Sequence, residues 1–280
     1  MIVFSGIDKK LGSFALHDAT FEIPEGYICG LVGRNGAGKT TLLNLLLGLL
    51  QPDAGSLQVD GLEYDSNEKE LRKLLGCVLV EELFEGRLSL AENAIYFGSY
   101  YEAYDDELYR ERLEQFRLSS KKRFKELSKG EKLKCQFAFA LAIRPKYLIL
   151  DEPTANFDPE FREAFWKILK EFIADGEHSV LLATHLTEDL DRMADYLLFL
   201  DSGELIFNGD MESFRDSYRI VSGEDYLIRN IPEKNLIGSE KGAYGTKALV
   251  KHKRSVPEEL TSVPPTIEEF MYFYSVGRRE

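Results

Sequence analysis

The hydrophobic positions along this chain alternate between short continuous runs and a helical spacing, which predicts a parallel β-sheet with helices. Three segments, 27–32, 148–150 and 180–183, consist almost entirely of apolar residues and are bounded by polar or turn-forming ones. Such short, continuous runs are typical of strands that are covered on both faces. Between the last two runs, residues 160–173 repeat Phe, Ile and Leu at helical spacing and are followed by Gly176. A strand, a helix and a strand in this order predict an α/β core.

The rest of the pattern predicts a β-rich start, a helical insertion and a separate extension. Short apolar segments with β character precede residue 33, and residues 40–50 are apolar on nearly every face, which favours a helix buried against a sheet. We predict a first domain at 1–215, a mostly helical subdomain within it at about 82–145, and a small C-terminal extension at 216–280.

The net charge argues against a nucleic-acid-binding protein, and the hydropathy argues against a membrane-spanning one. The chain has 35 Lys and Arg against 48 Asp and Glu, a formal charge of −13. That balance disfavours nucleic-acid binding, which depends on cationic side chains that neutralise phosphates. No stretch approaches the roughly 20 apolar residues that cross a bilayer. The first residues also lack a signal-peptide pattern, so we expect the chain to stay in the cytoplasm.

The three cysteines of the chain, Cys29, Cys77 and Cys135, are widely spaced, and each lies in an apolar context. We therefore expect reduced core residues rather than a disulfide framework. No spacing typical of a metal-ligand cluster is present.

Residues 33–40, Gly-Arg-Asn-Gly-Ala-Gly-Lys-Thr, match the phosphate-binding P-loop pattern. Glycines allow backbone N–H groups to surround a phosphate without Cβ clashes. Lys39 supplies a charge to the β- and γ-phosphates, the Thr40 hydroxyl suits Mg²⁺, and the next helix directs its N-terminus at the phosphates. We predict that ATP binds here, through Gly33, Arg34, Asn35, Gly36, Ala37, Gly38, Lys39, Thr40 and Thr41.

Three further residues end the later strands and predict hydrolysis. Asp151 and Glu152 follow the apolar run at 148–150. Asp151 can hold Mg²⁺, and Glu152, one residue further on, can act as the general base on the attacking water. His185 follows the run at 180–183 and is expected to contact the γ-phosphate. We predict Glu152, His185 and Lys39 as the catalytic residues.

The segment Leu127-Ser128-Lys129-Gly130-Glu131 narrows the class, because it resembles the signature motif of ABC ATPases. It lies about twenty residues before the acidic pair, as it does in that family. Residues 155–158 resemble the D-loop of the family, and residues 183–185 resemble its H-loop. The chain is therefore identified as resembling the nucleotide-binding subunit of an ABC transporter, and the resemblance covers about residues 1–210.

This resemblance implies a fold, a mechanism and partners. The fold is an α/β, RecA-like P-loop NTPase domain, with a parallel core sheet and an antiparallel β edge. Ser128, Gly130 and Asp158 would complete the ATP site of a second ATPase subunit, in a head-to-tail dimer around two ATP. ATP and Mg²⁺ are the implied cofactors. Separate integral membrane subunits, and a peripheral position on the cytoplasmic face of the plasma membrane, are also implied.

The family's usual Gln after the third core strand is missing. Val80 stands in its place and is followed by Glu81 and Glu82. One hypothesis is that Glu81 supplies the missing Mg²⁺ contact; the alternative is that Glu81 is a solvated acid.

Two other motifs also depart from the family pattern. The aromatic residue that stacks on adenine is replaced by Leu11, and Phe14 is the nearest aromatic. We therefore expect Leu11 and Phe14 at the adenine and weak discrimination between ATP and GTP. In the signature, Lys129 and Glu131 replace Gly and Gln.

The aromatic-rich segment 80–104 is expected to receive the membrane subunit. The alternative is that Tyr96, Phe97 and Tyr100 belong to a helix core. The residues concerned are Leu83, Phe84, Tyr96, Phe97, Tyr100 and Tyr101.

The C-terminal stretch resembles extensions of bacterial antibiotic, bacteriocin and peptide exporters, through Ala243-Tyr244-Gly245 and Pro265 to Met271. Residues 266–269, Thr-Ile-Glu-Glu, form a capping-box pattern that predicts a final helix. The alternative is a generic packing helix.

The leading function is the energy subunit of an exporter. The alternatives are a soluble ABC ATPase and a regulatory protein that binds ATP but barely hydrolyses it.

Overall fold

The computed structural model describes residues 1–81, 83–243, 245–251, 256–257 and 259–278. The chain divides into two compact units, the first made of residues 1–185 and 198–206, the second of residues 186–197 and 207–280. The division predicted at residue 216 stays a prediction.

The first unit contains a four-stranded antiparallel sheet, in the order β2-β1-β4-β5. Its strands are β1 (Ile2–Leu11), β2 (Phe14–Ile23), β4 (Ala54–Val59) and β5 (Leu62–Glu63). The tight turn between β1 and β2 pairs Leu11 with Phe14. Gly12 occupies this turn with φ +61°, a conformation that glycine adopts without strain.

A second sheet has six strands, in the order β10-β9-β3-β8-β7-β6. They are β3 (Ile28–Val32), β6 (Leu75–Val78), β7 (Tyr147–Asp151), β8 (Ser179–Ala183), β9 (Tyr196–Asp201) and β10 (Glu204–Asp210). The neighbouring strands β3, β8, β7 and β6 are parallel to one another. Every residue of β3 and β8 is buried, as their continuous apolar sequence predicts. Their carboxyl ends meet at one edge, where open α/β sheets bind ligands. The predicted α/β P-loop fold is confirmed.

Helices connect these strands. They are α1 (Lys39–Leu46), α2 (Tyr64–Leu74), α3 (Leu90–Gly98), α4 (Asp106–Gln115), α5 (Lys129–Ala142) and α6 (Pro159–Phe172). Helices α3, α4 and α5 confirm the helical character predicted for the region after residue 82. They pack around an aromatic cluster in which Phe84 lies 5.2–5.4 Å from the rings of Phe97, Phe124 and Phe139.

The prediction for the first helix was wrong at its end. α1 ends at Leu46 rather than at residue 50. Gly48 takes φ +67°, and the backbone carbonyl of Asn44 accepts hydrogen bonds from the N–H groups of Leu49 (2.8 Å) and Leu50 (3.1 Å). A glycine with positive φ and such backward bonds terminate a helix although the apolar pattern continues.

Within its described residues, the second unit contains α7 (Thr187–Met193), α8 (Met211–Ser217), α9 (Asp225–Arg229) and α10 (Ile267–Gly277). Its sheet consists of β11 (Tyr218–Gly223), β12 (Leu236–Gly242), β13 (Gly245–Lys251) and β14 (Thr261–Val263). These strands are arranged in the order β12-β13-β11-β14.

The predicted capping box at the start of α10 is confirmed, because the Thr266 hydroxyl accepts a hydrogen bond from the Glu269 N–H at 3.1 Å. Tyr244, part of the predicted exporter-like motif, lies outside the described residues.

The thiols of Cys29, Cys77 and Cys135 are reduced, and burial raises the pKa of Cys77 to about 11 and of Cys135 to about 12. Among the described helices, each is too short or too polar to cross a membrane.

Candidate functional site

The loop between β3 and α1 surrounds the side chain of Lys39. The Lys39 Nζ donates hydrogen bonds to the carbonyl oxygens of Gly33 at 2.7 Å and Arg34 at 3.4 Å. Burial lowers the pKa of this ammonium group, whereas the negative charges of Glu152 and Asp151 raise it. The loop therefore holds a largely buried cation opposite two carboxylates.

Glycine is required at two positions of this loop because other atoms approach closely. A Cβ on Gly33 would lie 2.3 Å from the carbonyl oxygen of Leu200. One on Gly38 would lie 2.6 Å from Cζ of Phe14, and Gly38 also has φ +114°. The ring of Phe14 thus packs directly against the residue that begins α1. This contact limits how far the loop can move on that side.

The acidic pair lies at the carboxyl end of β7. Burial raises the pKa of Asp151, the adjacent Glu152 raises it further, and Lys39 opposes this shift. Glu152 adopts φ +46°, which is uncommon for a residue with a side chain, and its N–H donates to the Ala183 carbonyl at 2.8 Å. Unusual backbone of this kind costs free energy and is concentrated at functional sites.

Glu152 is tied to the end of the neighbouring strand β8. Its Oε2 accepts a hydrogen bond from the Thr184 hydroxyl at 3.0 Å and lies 2.8 Å from Nδ1 of His185. The backbone N–H of His185 lies 3.3 Å from the same oxygen. The two catalytic candidates that follow these strands, Glu152 and His185, are therefore in contact with each other.

Two cavities open beside the loop, of about 590 and 710 Å³. Each is large enough for a ligand of nucleotide size. The first is lined by Leu11, Phe14, Arg34, Asn35, Gly36, Gly38, Lys39, Thr40, Thr41, Leu43, Asn44, Leu79, Val80, Glu81, Asp151 and Glu152. The second is lined by Arg34, Asn35, Gly36, Ala37, Glu152, His185, Asp201 and Ser202.

Most predicted site residues thus lie together, but Gly33, Ser128, Gly130 and Asp158 do not line either cavity. Ser128 caps α5, accepting from the Glu131 N–H at 3.3 Å. A Cβ on Gly130 would lie 2.6 Å from the carbonyl oxygen of Asn156, so the signature segment packs on the backbone of residues 155–158. Asp158 caps α6 and pairs with Lys134 at 3.0 Å.

Two of the departures from the family pattern, at Leu11 and Val80, lie at the first cavity. Leu11 is 39% exposed and offers an apolar wall, whereas Val80 is 65% exposed. Glu81 is exposed at the cavity, and its charge contributes to the raised pKa of Asp151, so the two carboxylates lie near each other. Glu82, the other acid considered, lies outside the described residues.

Sequence reasoning missed several lining residues, among them Asn44, Leu79, Asp201 and Ser202. Asn44 lies on α1 one turn beyond Thr40, a helical spacing that could have indicated it. Asp201-Ser202-Gly203 is a turn signal, with φ +51° at Ser202 and +84° at Gly203. That this turn reaches the P-loop depends on the hydrogen bond from the Gly203 N–H to the Ala37 carbonyl, at 2.9 Å.

The oxygen donors here suit Mg²⁺. Thr40 and Asp151 line the same cavity, and Mg²⁺ in nucleotide sites takes one or two protein oxygens besides phosphates and waters. A cage made only of protein ligands is not needed.

The fold and the site define a P-loop nucleotide-binding domain. The family model described as ABC transporter matches residues 16–155. The chain therefore belongs to the ABC transporter family, of which it is an ATP-binding, ATP-hydrolysing subunit.

Individual relatives agree with this assignment. The chain is 34% identical over 214 residues to Nod factor export ATP-binding protein I of Burkholderia lata, covering 74% of this chain and 70% of the relative. It is 34% identical over 203 residues to ABC transporter ATP-binding protein YdbJ of Bacillus subtilis, covering 71% and 66%.

Solved structures agree on the fold. One, of an ATP-binding subunit of an ABC transporter, matches with a TM-score of 0.72 and 25% identity over 77% of this chain and 92% of that one. The dimeric cassette MJ0796 bound to ADP and Pi matches in fold, with a TM-score of 0.66 and 24% identity over 75% and 99%.

Proposed function

We propose that this subunit hydrolyses Mg²⁺-bound ATP as half of a head-to-tail dimer, and that it drives export through separate membrane subunits. The observation that carries the hydrolysis is the position of Glu152. It lies at the wall shared by both cavities, in contact with His185 and close enough to Lys39 to affect its pKa.

Each residue has a defined task in this mechanism. The backbone N–H groups of the loop and Lys39 bind the phosphates. Thr40 and Asp151 would hold Mg²⁺, which would supply positive charge to the bound phosphates. The hydrogen bonds from Thr184 and His185 go to Oε2 of Glu152, so we assign proton acceptance from the attacking water to the other oxygen, Oε1. His185 then donates to the γ-phosphate.

The dimer is supported by where the signature residues lie. Ser128 and Gly130 do not line the cavities beside their own P-loop. In a head-to-tail arrangement, the N-terminus of α5 faces the γ-phosphate bound by the partner, and the helix dipole favours that negative charge.

A complementation experiment tests this arrangement. Lys39→Ala breaks the P-loop of one chain, and Ser128→Ala breaks the signature of another. We expect each variant alone to lack ATPase activity. In a mixed dimer, one site combines the intact P-loop of the second chain with the intact signature of the first, so mixing should restore turnover. Mixtures as inactive as the separate variants would contradict a signature that acts across the interface.

The control for this experiment is Ser89→Ala. Ser89 caps α3 in a capping box with Glu92, as Ser128 caps α5 with Glu131. Loss of an N-cap costs about 0.5–2 kcal/mol at either helix. Only the Ser128 change should remove turnover. Absence of hydrolysis in the wild-type protein at saturating Mg²⁺ and ATP would instead favour the regulatory alternative.

Export and membrane partners are supported by relatives and by an apolar groove. Nod factor export ATP-binding protein I is named for export, and we transfer that direction to this chain. A cavity of about 240 Å³, which we call the apolar groove, is lined by Cys77, Leu83, Phe84, Phe97, Tyr101, Gln136, Phe139, Ala140 and Ile143.

We place the cytoplasmic segment of a membrane subunit in this groove, which holds the ATPase at the cytoplasmic face of the membrane. Tyr96 and Tyr100 are 55% and 68% exposed beside it, so the interpretation of these two tyrosines as helix-core residues was wrong. Exposed aromatic residues next to an apolar cavity are typical anchors of an interface. The resemblance of the C-terminal extension to those of antibiotic, bacteriocin and peptide exporters favours a peptide, antibiotic or drug as the substrate.

A further inference from the structure

Gln136 is a buried amide on the helix that follows the signature motif. It lies on α5, and only 3% of the residue is exposed. An uncharged polar group at such a position is costly unless its donors and acceptors are paired. Its partners therefore indicate why a polar residue is present among the apolar neighbours of α5.

The Gln136 side chain bridges the backbone on both sides of Val80. Its Oε1 accepts a hydrogen bond from the Leu79 N–H at 3.2 Å, and its Nε2 donates to the Glu81 carbonyl at 3.2 Å. An amide can make both bonds at once, because it has a donor and an acceptor on the same carbon. A carboxylate could make only the first, and an apolar side chain could make neither.

This bridge joins two cavities. Leu79, Val80 and Glu81 line the nucleotide cavity, whereas Gln136 itself lines the apolar groove. The Val80 side chain can neither hydrogen-bond to a water nor coordinate a metal ion, so it has no means of reporting the nucleotide. The backbone on either side of Val80 can report the nucleotide, because it is hydrogen-bonded to Gln136.

We propose that Gln136 is a positioning residue that couples the nucleotide cavity to the apolar groove; this rests on the proposed function. When bound nucleotide shifts residues 79–81, α5 must follow. Otherwise the Leu79 N–H, the Glu81 carbonyl and the buried amide would all lose their partners. The coupling is reciprocal, so a segment bound in the groove affects nucleotide affinity by the same factor.

Amide hydrogen exchange on the full chain tests the coupling, with and without the Mg²⁺ complex of AMP-PNP. Gln136→Met keeps the length of the side chain but removes both hydrogen bonds. We expect the Leu79 amide to exchange about tenfold faster in this variant. The nucleotide-induced protection of residues 133–143, which we expect in the wild type, should be lost, while AMP-PNP still binds.

Two other variants complete the test. Gln136→Glu keeps the acceptor for Leu79 and loses the donor for Glu81, so the Leu79 amide should stay protected while the response of α5 falls. Tyr109→Phe is the control, because it removes a buried hydroxyl that donates to the Leu90 carbonyl at 3.3 Å and lies outside the residues that line the nucleotide cavity and the groove. It should respond to the nucleotide as the wild type does.

The outcomes separate this inference from the proposed function. If AMP-PNP binds normally and α5 of Gln136→Met still responds fully, the coupling is overturned and the ATPase function stands. If the wild type does not bind AMP-PNP, the proposed function fails and the coupling fails with it. Should Gln136→Met not fold, a full α5 response in Gln136→Glu would overturn a coupling through Glu81.

Discussion

The Oε2 atom of Glu152 lies 2.8 Å from Nδ1 of His185, across two adjacent parallel strands. The pairing of β7 with β8 brings the strand ends together, with Asp151 opposite Ala183. The hydroxyl of Thr184 holds the same oxygen at 3.0 Å. The register of β7 with β8 therefore brings Glu152 and His185, which directly follow these two strands, to the same place. Catalytic groups need this kind of fixed support.

Replacing Glu152 by Gln should abolish turnover but not binding. The amide cannot accept a proton from water, and loss of a general base typically lowers the rate by about 10²–10⁴-fold. Because Lys39 and the loop are untouched, ATP affinity should remain. The variant should also accumulate as an ATP-bound dimer, seen as a doubled mass by light scattering. Turnover at the wild-type rate would remove Glu152 from this role.

Replacing Glu81 by Ala should raise the Mg²⁺ concentration that supports half-maximal ATPase activity. Glu81 lines the nucleotide cavity, and its charge acts on Asp151. Carboxylate oxygens are preferred ligands of Mg²⁺. Glu107→Ala, which changes an exposed acid on α4, is the control. If both variants depend on Mg²⁺ as the wild type does, Glu81 is a solvated acid.

Replacing Leu11 by Tyr should tighten ATP binding. Leu11 lines the cavity but has no π-face, and base–aromatic stacking contributes about 1–3 kcal/mol.

The wild type should bind ATP and GTP with similar affinity, as measured by calorimetry. Phe14→Ala should weaken both nucleotides alike, because Phe14 packs against Gly38 of the loop. A strong preference for ATP in Phe14→Ala would argue against this account.

Replacing Leu83 by Asp should release the protein from membranes. Leu83 lines the apolar groove and is 38% exposed, so a charge there opposes burial against a partner. Ile95→Asp is the control, on α3, 67% exposed and outside the residues that line the groove. Vesicle flotation from the native host should recover Ile95→Asp with the membranes and leave Leu83→Asp behind. Equal flotation of the two would contradict the proposed docking site.

Acid should weaken the start of α5 through Glu131. The backbone N–H of Ser128 and the ammonium group of Lys122 hold the pKa of Glu131 below its usual 4.5. The folded-state pKa is thus depressed, so this stabilisation is present above pH 4.5 and is lost as the pH falls through the folded-state pKa. Both partners are about one-third exposed, so it amounts to less than about 1 kcal/mol.

The comparison of Glu131→Gln with the wild type measures this effect. Urea unfolding at pH 7 should show the wild type to be more stable, and the difference should shrink at lower pH. A difference independent of pH would mean that the charge of Glu131 does not contribute.

The sequence alone determined the parts of this protein whose residues are close along the chain. Residues 33–40 contain the whole P-loop, because phosphate binding there uses consecutive backbone N–H groups and the first turn of the next helix. Asp151 and Glu152 were predictable because they end an apolar run. The capping box at Thr266 was predictable because it needs only four residues. The ABC transporter family followed from the order of such local motifs.

Only the tertiary structure decided which distant residues meet. Phe14 packs on Gly38 because a hairpin of one sheet reaches the loop of another, and this depends on side-chain packing rather than on spacing. Gln136 bonds to Leu79 and Glu81 across more than fifty positions of the chain. In the sequence Gln136 only follows the charged first half of α5. A buried hydrogen bond leaves no periodic signal in the chain, because it depends on where its partner lies.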